Sequence, residues 1–215
     1  MKRVTLFCGH YGSGKSNIAV NYAFRLRETY DKVALADVDV VNPYFRSLDS
    51  KSELEEKGIR VIALPFANTN VDLPALPSEV YGLVERRDIH AVLDVGGDDR
   101  GALALGRFVP YIQEENDYDM FFVANFYRPL TRTATEALGV MNEIFSACRL
   151  PFTGIINNSN LGEETVARDV VETVAEAEKL AEISGLPLVY TTYSERLGEI
   201  NVPSPFPIRL QKKYF

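Results

Sequence analysis

The run Gly9-His10-Tyr11-Gly12-Ser13-Gly14-Lys15-Ser16 fits the spacing G-x-x-x-x-G-K-[ST], and the chemistry of that spacing is phosphate binding. Its glycines let successive backbone N–H groups curl toward an anion without Cβ strain. Lys15 can reach terminal phosphates, and Ser16 can place its hydroxyl on Mg²⁺. With Asn17 behind it, this loop forms the candidate nucleotide-binding set. Two acidic segments complete the chemistry: Asp37-Val38-Asp39, and Asp94 just ahead of Gly96-Gly97. A phosphate loop needs a carboxylate at the end of a neighbouring strand, hydrogen-bonded to Mg²⁺ waters, and a glycine N–H that can meet the γ-phosphate. Asp94 and Gly97 suit those roles, although a carboxylate at Asp94 could instead cap the helix that follows.

These residues can act together only if regular elements bring them to one place. Val4-Thr5-Leu6-Phe7-Cys8 is a short run of strand formers, and residues 17–24 continue with apolar side chains at helical spacing to a helix ending near Tyr30. Strand, glycine loop and helix thus occur in the order that a phosphate loop requires. Residues 32–37 are apolar almost throughout and read as a buried parallel strand, after which Pro43 blocks a continuing central strand. Further strands are expected at 59–64, 90–95, 120–124, 152–157 and 187–191, and helices at 50–57, 78–87, 102–114, 132–149 and 163–184. Val166, Val170, Val174, Ala177 and Ala181 form an inward stripe on the last helix, which Gly185 and Pro187 stop.

Strands alternating with helices predict a three-layer α/β fold, a mainly parallel central sheet with helices on both faces. Ligands of such sheets sit beyond the carboxyl ends of the strands, where 37–46, 94–100, 125–131, 157–162 and 191–197 would join the phosphate loop. The loop at 65–77, with three prolines and two asparagines, is either a functional loop or a plain connector. Arg46, Arg100 and Arg128 fall in or beside these segments; an arginine there can stabilise phosphoryl charge or simply face solvent. Arg128 lies in Phe126-Tyr127-Arg128-Pro129, a loop shaped by aromatics and a proline.

The bulk properties agree with this reading. A chain of 215 residues is expected to fold as one domain, 1–215, with a core that needs no disulfide or structural metal. A net charge of -7 argues against wholesale nucleic-acid binding. Cys8 and Cys148 lack C-x-x-C spacing and read as buried thiols. No signal peptide or membrane-spanning run is visible, so a cytoplasmic location is expected.

Taken with Ile155-Ile156-Asn157, the three segments in this order resemble the MinD/ParA/ArsA-like P-loop ATPases, including CobQ/CobB-type domains. The resemblance implies ATP and Mg²⁺ as cofactors, with Lys15 and the loop amides on the β- and γ-phosphates and Ser16 on the metal. It also implies Asp39 orienting the attacking water, Asp37 supporting the metal shell, Asp94 as the Walker B acid, Gly97 sensing the γ-phosphate and Asn157 contacting the adenine edge. Asn157 could alternatively cap its own loop. The chain departs from the pattern at His10, where that family carries an extra lysine that reaches the nucleotide of a partner subunit. Imidazole titrates near neutrality, so His10 could supply partial charge or have no role.

The expected function is a Mg-ATP-binding ATPase that hydrolyses ATP slowly, switches its loops and engages a protein partner, with a homodimer possible. The alternatives are a ligase-like enzyme of the CobB or dethiobiotin-synthetase type acting on a small carboxylate, and a nucleotide-binding regulator without turnover. No N-K-x-D guanine motif is present, and Asn157-Asn158 alone leaves GTP open. The C-terminal residues 208–215 are basic and partly aromatic, similar to membrane-targeting tails of MinD-like proteins, yet short enough to be expected as a tail packed on the body, with no stable membrane insertion.

Overall fold

The computed structural model describes residues 1–38, 50–63, 78–97 and 105–210. Asp39 and Arg46, the proline-rich loop at 65–77, Arg100, the start of the expected 102–114 helix and the last five residues of the tail lie outside the described residues.

Eight strands form one sheet in the order β3-β2-β4-β1-β5-β6-β7-β8, and every pairing is parallel. They are β1 (Val4–Cys8), β2 (Val33–Asp37), β3 (Ile59–Ala63), β4 (His90–Asp94), β5 (Tyr118–Ala124), β6 (Gly154–Asn157), β7 (Leu188–Ser194) and β8 (Pro205–Ile208). The central strands are apolar on both sides because both are covered. Val4, Leu6 and Cys8 of β1, Ala91 and Leu93 of β4, and Met120 and Phe122 of β5 belong to one core. Phe7, Val92, Phe121 and Val123 alternate with them and belong to the other. Helices α1 (Lys15–Arg27) and α2 (Lys51–Glu56) supply the second core with Ile18, Ala19, Ala23, Leu26 and Leu54. On the opposite face lie α3 (Ser78–Glu85), α4 (Val109–Glu115) and α5 (Ala134–Cys148).

The expected continuous helix at 163–184 is broken into a 3-10 turn (Gly162–Glu164), α6 (Ala167–Glu172) and α7 (Val174–Ser184). Two side chains account for the breaks. Asp169 accepts a hydrogen bond from the Val166 N–H at 2.8 Å and starts α6 afresh. Thr173 turns its hydroxyl back to the Val170 carbonyl at 2.8 Å, competing with the helical ladder. The stripe shifts accordingly: Val170 and Ala177 are buried as expected and Leu180 joins them, while Val166 is 53% exposed.

The second difference is β8, which lies in the stretch before the tail. Its two prolines argue against a central strand, and it is an edge strand. The Ser204 carbonyl accepts from the Thr191 N–H at 2.9 Å. Alternation then turns the nitrogens of Pro205 and Pro207 to the open edge, where no donor is needed, and buries Phe206 and Ile208.

At the amino-terminal end of β1, in the middle of the sheet, the guanidinium of Arg3 is buried. It donates to the carbonyls of Leu83, Val84, Arg86 and Ile89 at 2.8–3.1 Å and pairs with Glu115. It thereby satisfies the carbonyl end of α3 and ties it to α4. Among the described residues no helix is long and apolar enough to cross a membrane.

Candidate nucleotide-binding site

The phosphate loop connects β1 to α1 as expected. Gly12 and Gly14 have φ of +78° and +84°, which an L side chain rarely adopts, so the glycines at these positions are required by the curl. The His10 carbonyl accepts from the Ser13 N–H at 3.0 Å and closes the turn. Lys15 and Ser16 are buried at the helix start, while Tyr11 is 71% exposed on the crest. His10 is half-buried, with Nδ1 3.1 Å from the Tyr11 carbonyl oxygen. Asn17 follows in the first turn of α1 and lines the cavity described below. The hydroxyl of Ser13 has no hydrogen-bond partner among the described residues.

Sheet order and alternation deliver the acids. Asp37 ends β2 and Asp94 ends β4; they are register partners on neighbouring strands, and Asp94 is also paired with Phe7 of β1. Since Leu35 and Val92 face α1, Asp37 and Asp94, two residues further on, face the same side. Both carboxylates are therefore brought to the sheet face on which α1 begins. Electrostatics agrees with their closeness to the loop. Burial pushes the Cys8 thiol well above its usual value, and the neighbouring Cys148 and Asp94 add to this while Lys15 opposes it. Both cysteines are free and buried, as expected.

Gly97 lies directly against the phosphate loop. A methyl group built on it would fall 1.8 Å from the Gly9 carbonyl oxygen and 3.0 Å from the His10 Cα. The segment after β4 can approach the loop so closely only because residue 97 has no side chain. Gly9 is equally confined, since a methyl there would lie 2.4 Å from the Val123 carbonyl oxygen on β5.

A cavity of about 330 Å³ opens beside the loop, lined by Gly12, Lys15, Ser16 and Asn17 together with residues 158–160, Thr192 and Ile208. Asn157 does not line it. The Asn157 side chain donates to the Thr173 hydroxyl at 3.1 Å and accepts from the N–H and hydroxyl of Ser159 at 3.2 and 2.7 Å. It is fully buried on the α7 side of the sheet, where these bonds organise the loop after β6. The residue in the cavity wall is Asn158. It donates to the Ser13 carbonyl at 2.6 Å and accepts from the Thr192 hydroxyl at 2.5 Å, tying the phosphate loop to β7. Alternation holds the reason: Ile155 packs in one core and Ile156 in the other, so consecutive asparagines must point to opposite faces. That parity was available in the sequence.

Loops after β5 and β6 close the wall together. Phe126 N–H donates to the Ser159 hydroxyl at 2.9 Å, and the Asn125 amide bonds the backbone of Asn160 in both directions at 3.3 and 3.4 Å. Arg128, exposed at the end of this loop, lies along the crest of the phosphate loop. Among the described residues no group of three or more His, Cys, Asp or Glu side chains forms a metal-binding cluster. Mg²⁺ keeps several waters and binds through one or two carboxylates and substrate phosphates. Ser16, Asp37 and Asp94 fit such a site.

This geometry has counterparts among solved structures. The cell division protein FtsY of Thermotoga maritima matches with a TM-score of 0.58 over 94% of this chain and 65% of that one, at 16% identity. The fold is that of the P-loop NTPases. A nucleotide-binding protein from Archaeoglobus fulgidus in complex with ADP matches with a TM-score of 0.53 over 91% of this chain and 83% of that one, at 14% identity. The signal recognition particle receptor FtsY from Elizabethkingia anophelis in complex with GDP gives 0.57 over 94% and 60%, at 14% identity. The chain thus spans 60–65% of the length of these FtsY proteins, less than two thirds. At these identities the likeness is one of fold and does not single out the MinD/ParA/ArsA-like branch. No family model matches the chain, and no curated protein matches its sequence.

Proposed function

We propose that this protein binds Mg-ATP and hydrolyses it slowly, using the bound nucleotide to order the segments after β2 and β4 and so to control an interaction with a partner. The observation that carries the reading is the convergence of Lys15 and Ser16 with the buried acids Asp37 and Asp94 on the α1 side of the sheet, beside a nucleotide-sized cavity. Lys15 and the loop amides hold the β- and γ-phosphates, and Gly97, seated on Gly9, reads the γ-phosphate through its N–H. Ser16, Asp37 and Asp94 would hold Mg²⁺, which would supply positive charge against the phosphates. Asp39, next to β2 in sequence, orients the water in this reading, and the resemblance to MinD/ParA-like ATPases supports that role. The base occupies the remainder of the cavity, and Asn157 organises the loop that carries Asn158.

GTP is the second reading, favoured by the likeness to FtsY in complex with GDP. ATP stands first because the ADP-bound Archaeoglobus protein is matched over 83% of its length and no N-K-x-D guanine motif occurs here. The test is phosphate release from ATP and GTP with Mg²⁺, alone and with small carboxylic acids. Steady release from ATP that is lost in Lys15→Ala and Asp39→Ala is expected. Release that strictly requires an added acid would assign the chain to ligase-like chemistry, and preference for GTP in competition would overturn the base assignment.

A further inference from the structure

We propose that Arg128 is a direct contact to the phosphate chain of the bound nucleotide, supplied within the same chain by the loop after β5. The inference rests on the nucleotide reading above and adds a cation that the phosphate-loop motif does not contain.

Position comes first. A methyl group built on Gly12 would lie 3.5 Å from Arg128 Nε and 3.8 Å from its Cζ, so the guanidinium runs alongside the crest of the phosphate loop. Arg128 lines the same cavity as Gly12, Lys15 and Ser16.

Arg128 is held on a constrained backbone. Its N–H donates to the Asn125 carbonyl at 3.0 Å, and its own carbonyl accepts from the Thr131 N–H at 3.3 Å. The Thr131 hydroxyl bonds the Asn125 carbonyl at 2.8 Å, and the Tyr127 hydroxyl bonds the Asp169 carbonyl at 2.9 Å. Only the side chain remains to move, which limits the entropy lost on binding.

Among the described residues the Arg128 guanidinium has no hydrogen bond or ion pair. Two arginines beyond β7 and β8 differ: Arg196 donates to the Thr165 carbonyl at 3.0 Å, and Arg209 pairs with Glu195 at 3.2 Å. In a chain of net charge -7, a cation beside an anion-binding loop offsets the repulsion a polyphosphate would meet. Its planar fork matches two phosphate oxygens at once.

The test is equilibrium binding of ATP and GTP with Mg²⁺ to the parent protein, Arg128→Ala, Arg128→Lys and Lys15→Ala, together with melting of each nucleotide-free protein. For whichever nucleotide the parent binds, Arg128→Ala is expected to weaken affinity about tenfold to a hundredfold, the loss of one or two charge-assisted hydrogen bonds. Arg128→Lys should recover part of it, and nucleotide-free melting should stay unchanged because the side chain is exposed. Parent-like affinity in Arg128→Ala, with binding lost in Lys15→Ala, would overturn the proposal while leaving the nucleotide reading intact. A lowered melting point of the nucleotide-free Arg128→Ala protein would overturn it in favour of a structural role. A parent that binds neither nucleotide would remove both.

Discussion

Asn158 offers the sharpest test of how the site is built. Its amide is buried and makes two short hydrogen bonds, from Nδ2 to the Ser13 carbonyl at 2.6 Å and to Oδ1 from the Thr192 hydroxyl at 2.5 Å. Asn158→Ala removes both: the Ser13 carbonyl loses this donor, while the Thr192 hydroxyl keeps a longer bond to the Asn157 carbonyl at 3.3 Å. One orphaned group costs about 1–3 kcal/mol. For a chain of this size that corresponds to a fall in melting temperature of roughly 2–12 °C. Nucleotide affinity should fall as well, because the Ser13 peptide is part of the anion-binding curl. A cycle with Thr192→Val separates the two bonds: the side chains touch, so their coupling should reach about 0.5–3 kcal/mol. Asn158→Asp should be worse for nucleotide than Asn158→Ala, since it places a carboxylate beside the phosphates and against the Ser13 oxygen. The assays are thermal unfolding and nucleotide titration. An Asn158→Ala protein that melts and binds like the parent, or a cycle with zero coupling, would refute the claim that this amide fastens the phosphate loop to β7.

Two further outcomes follow from other parts of the molecule. Gly97→Ala should cost roughly 1–3 kcal/mol by overpacking and should weaken nucleotide binding, because the added methyl meets the Gly9 backbone at 1.8 Å; unchanged melting and affinity would show that the two segments can separate freely. Arg3 hydrogen-bonds Glu115 and holds its carboxyl below the ordinary value, so that pair stabilises the fold above the unfolded carboxyl pKa and the contribution is lost as pH falls through the lower folded value. Arg3→Ala should therefore cost about 3–5 kcal/mol near neutrality, and Glu115→Gln should flatten the acid limb of stability against pH, both read by chemical denaturation.

Much of this protein was legible in the sequence because its signals are local. Gly9 to Ser16 specify their own backbone path, and the apolar runs ending in Asp37 and Asp94 state that carboxylates leave the sheet together. Seven strands and their parallel arrangement followed from alternation with helical segments. The eighth did not, because two prolines in four residues look prohibitive until the strand is known to lie at an edge. The break at Thr173 was hidden for a similar reason: residues 163–184 have helical periodicity throughout, and only the hydroxyl's contacts with Val170 and Asn157 make interruption favourable.

The site divides along the same line. The sequence by itself determined which residues could hold phosphate and metal, since a phosphate loop is built from consecutive backbone groups whose geometry glycines decide. Tertiary structure alone decided which distant side chains reach that loop. It brought Asn158 to the Ser13 carbonyl, laid Arg128 along Gly12, and set Ile208 of an edge strand in the cavity wall. Such contacts depend on strand order and on a side-chain parity that reverses with a one-residue shift, and no spacing between residues 128, 158 and 208 in the chain records them.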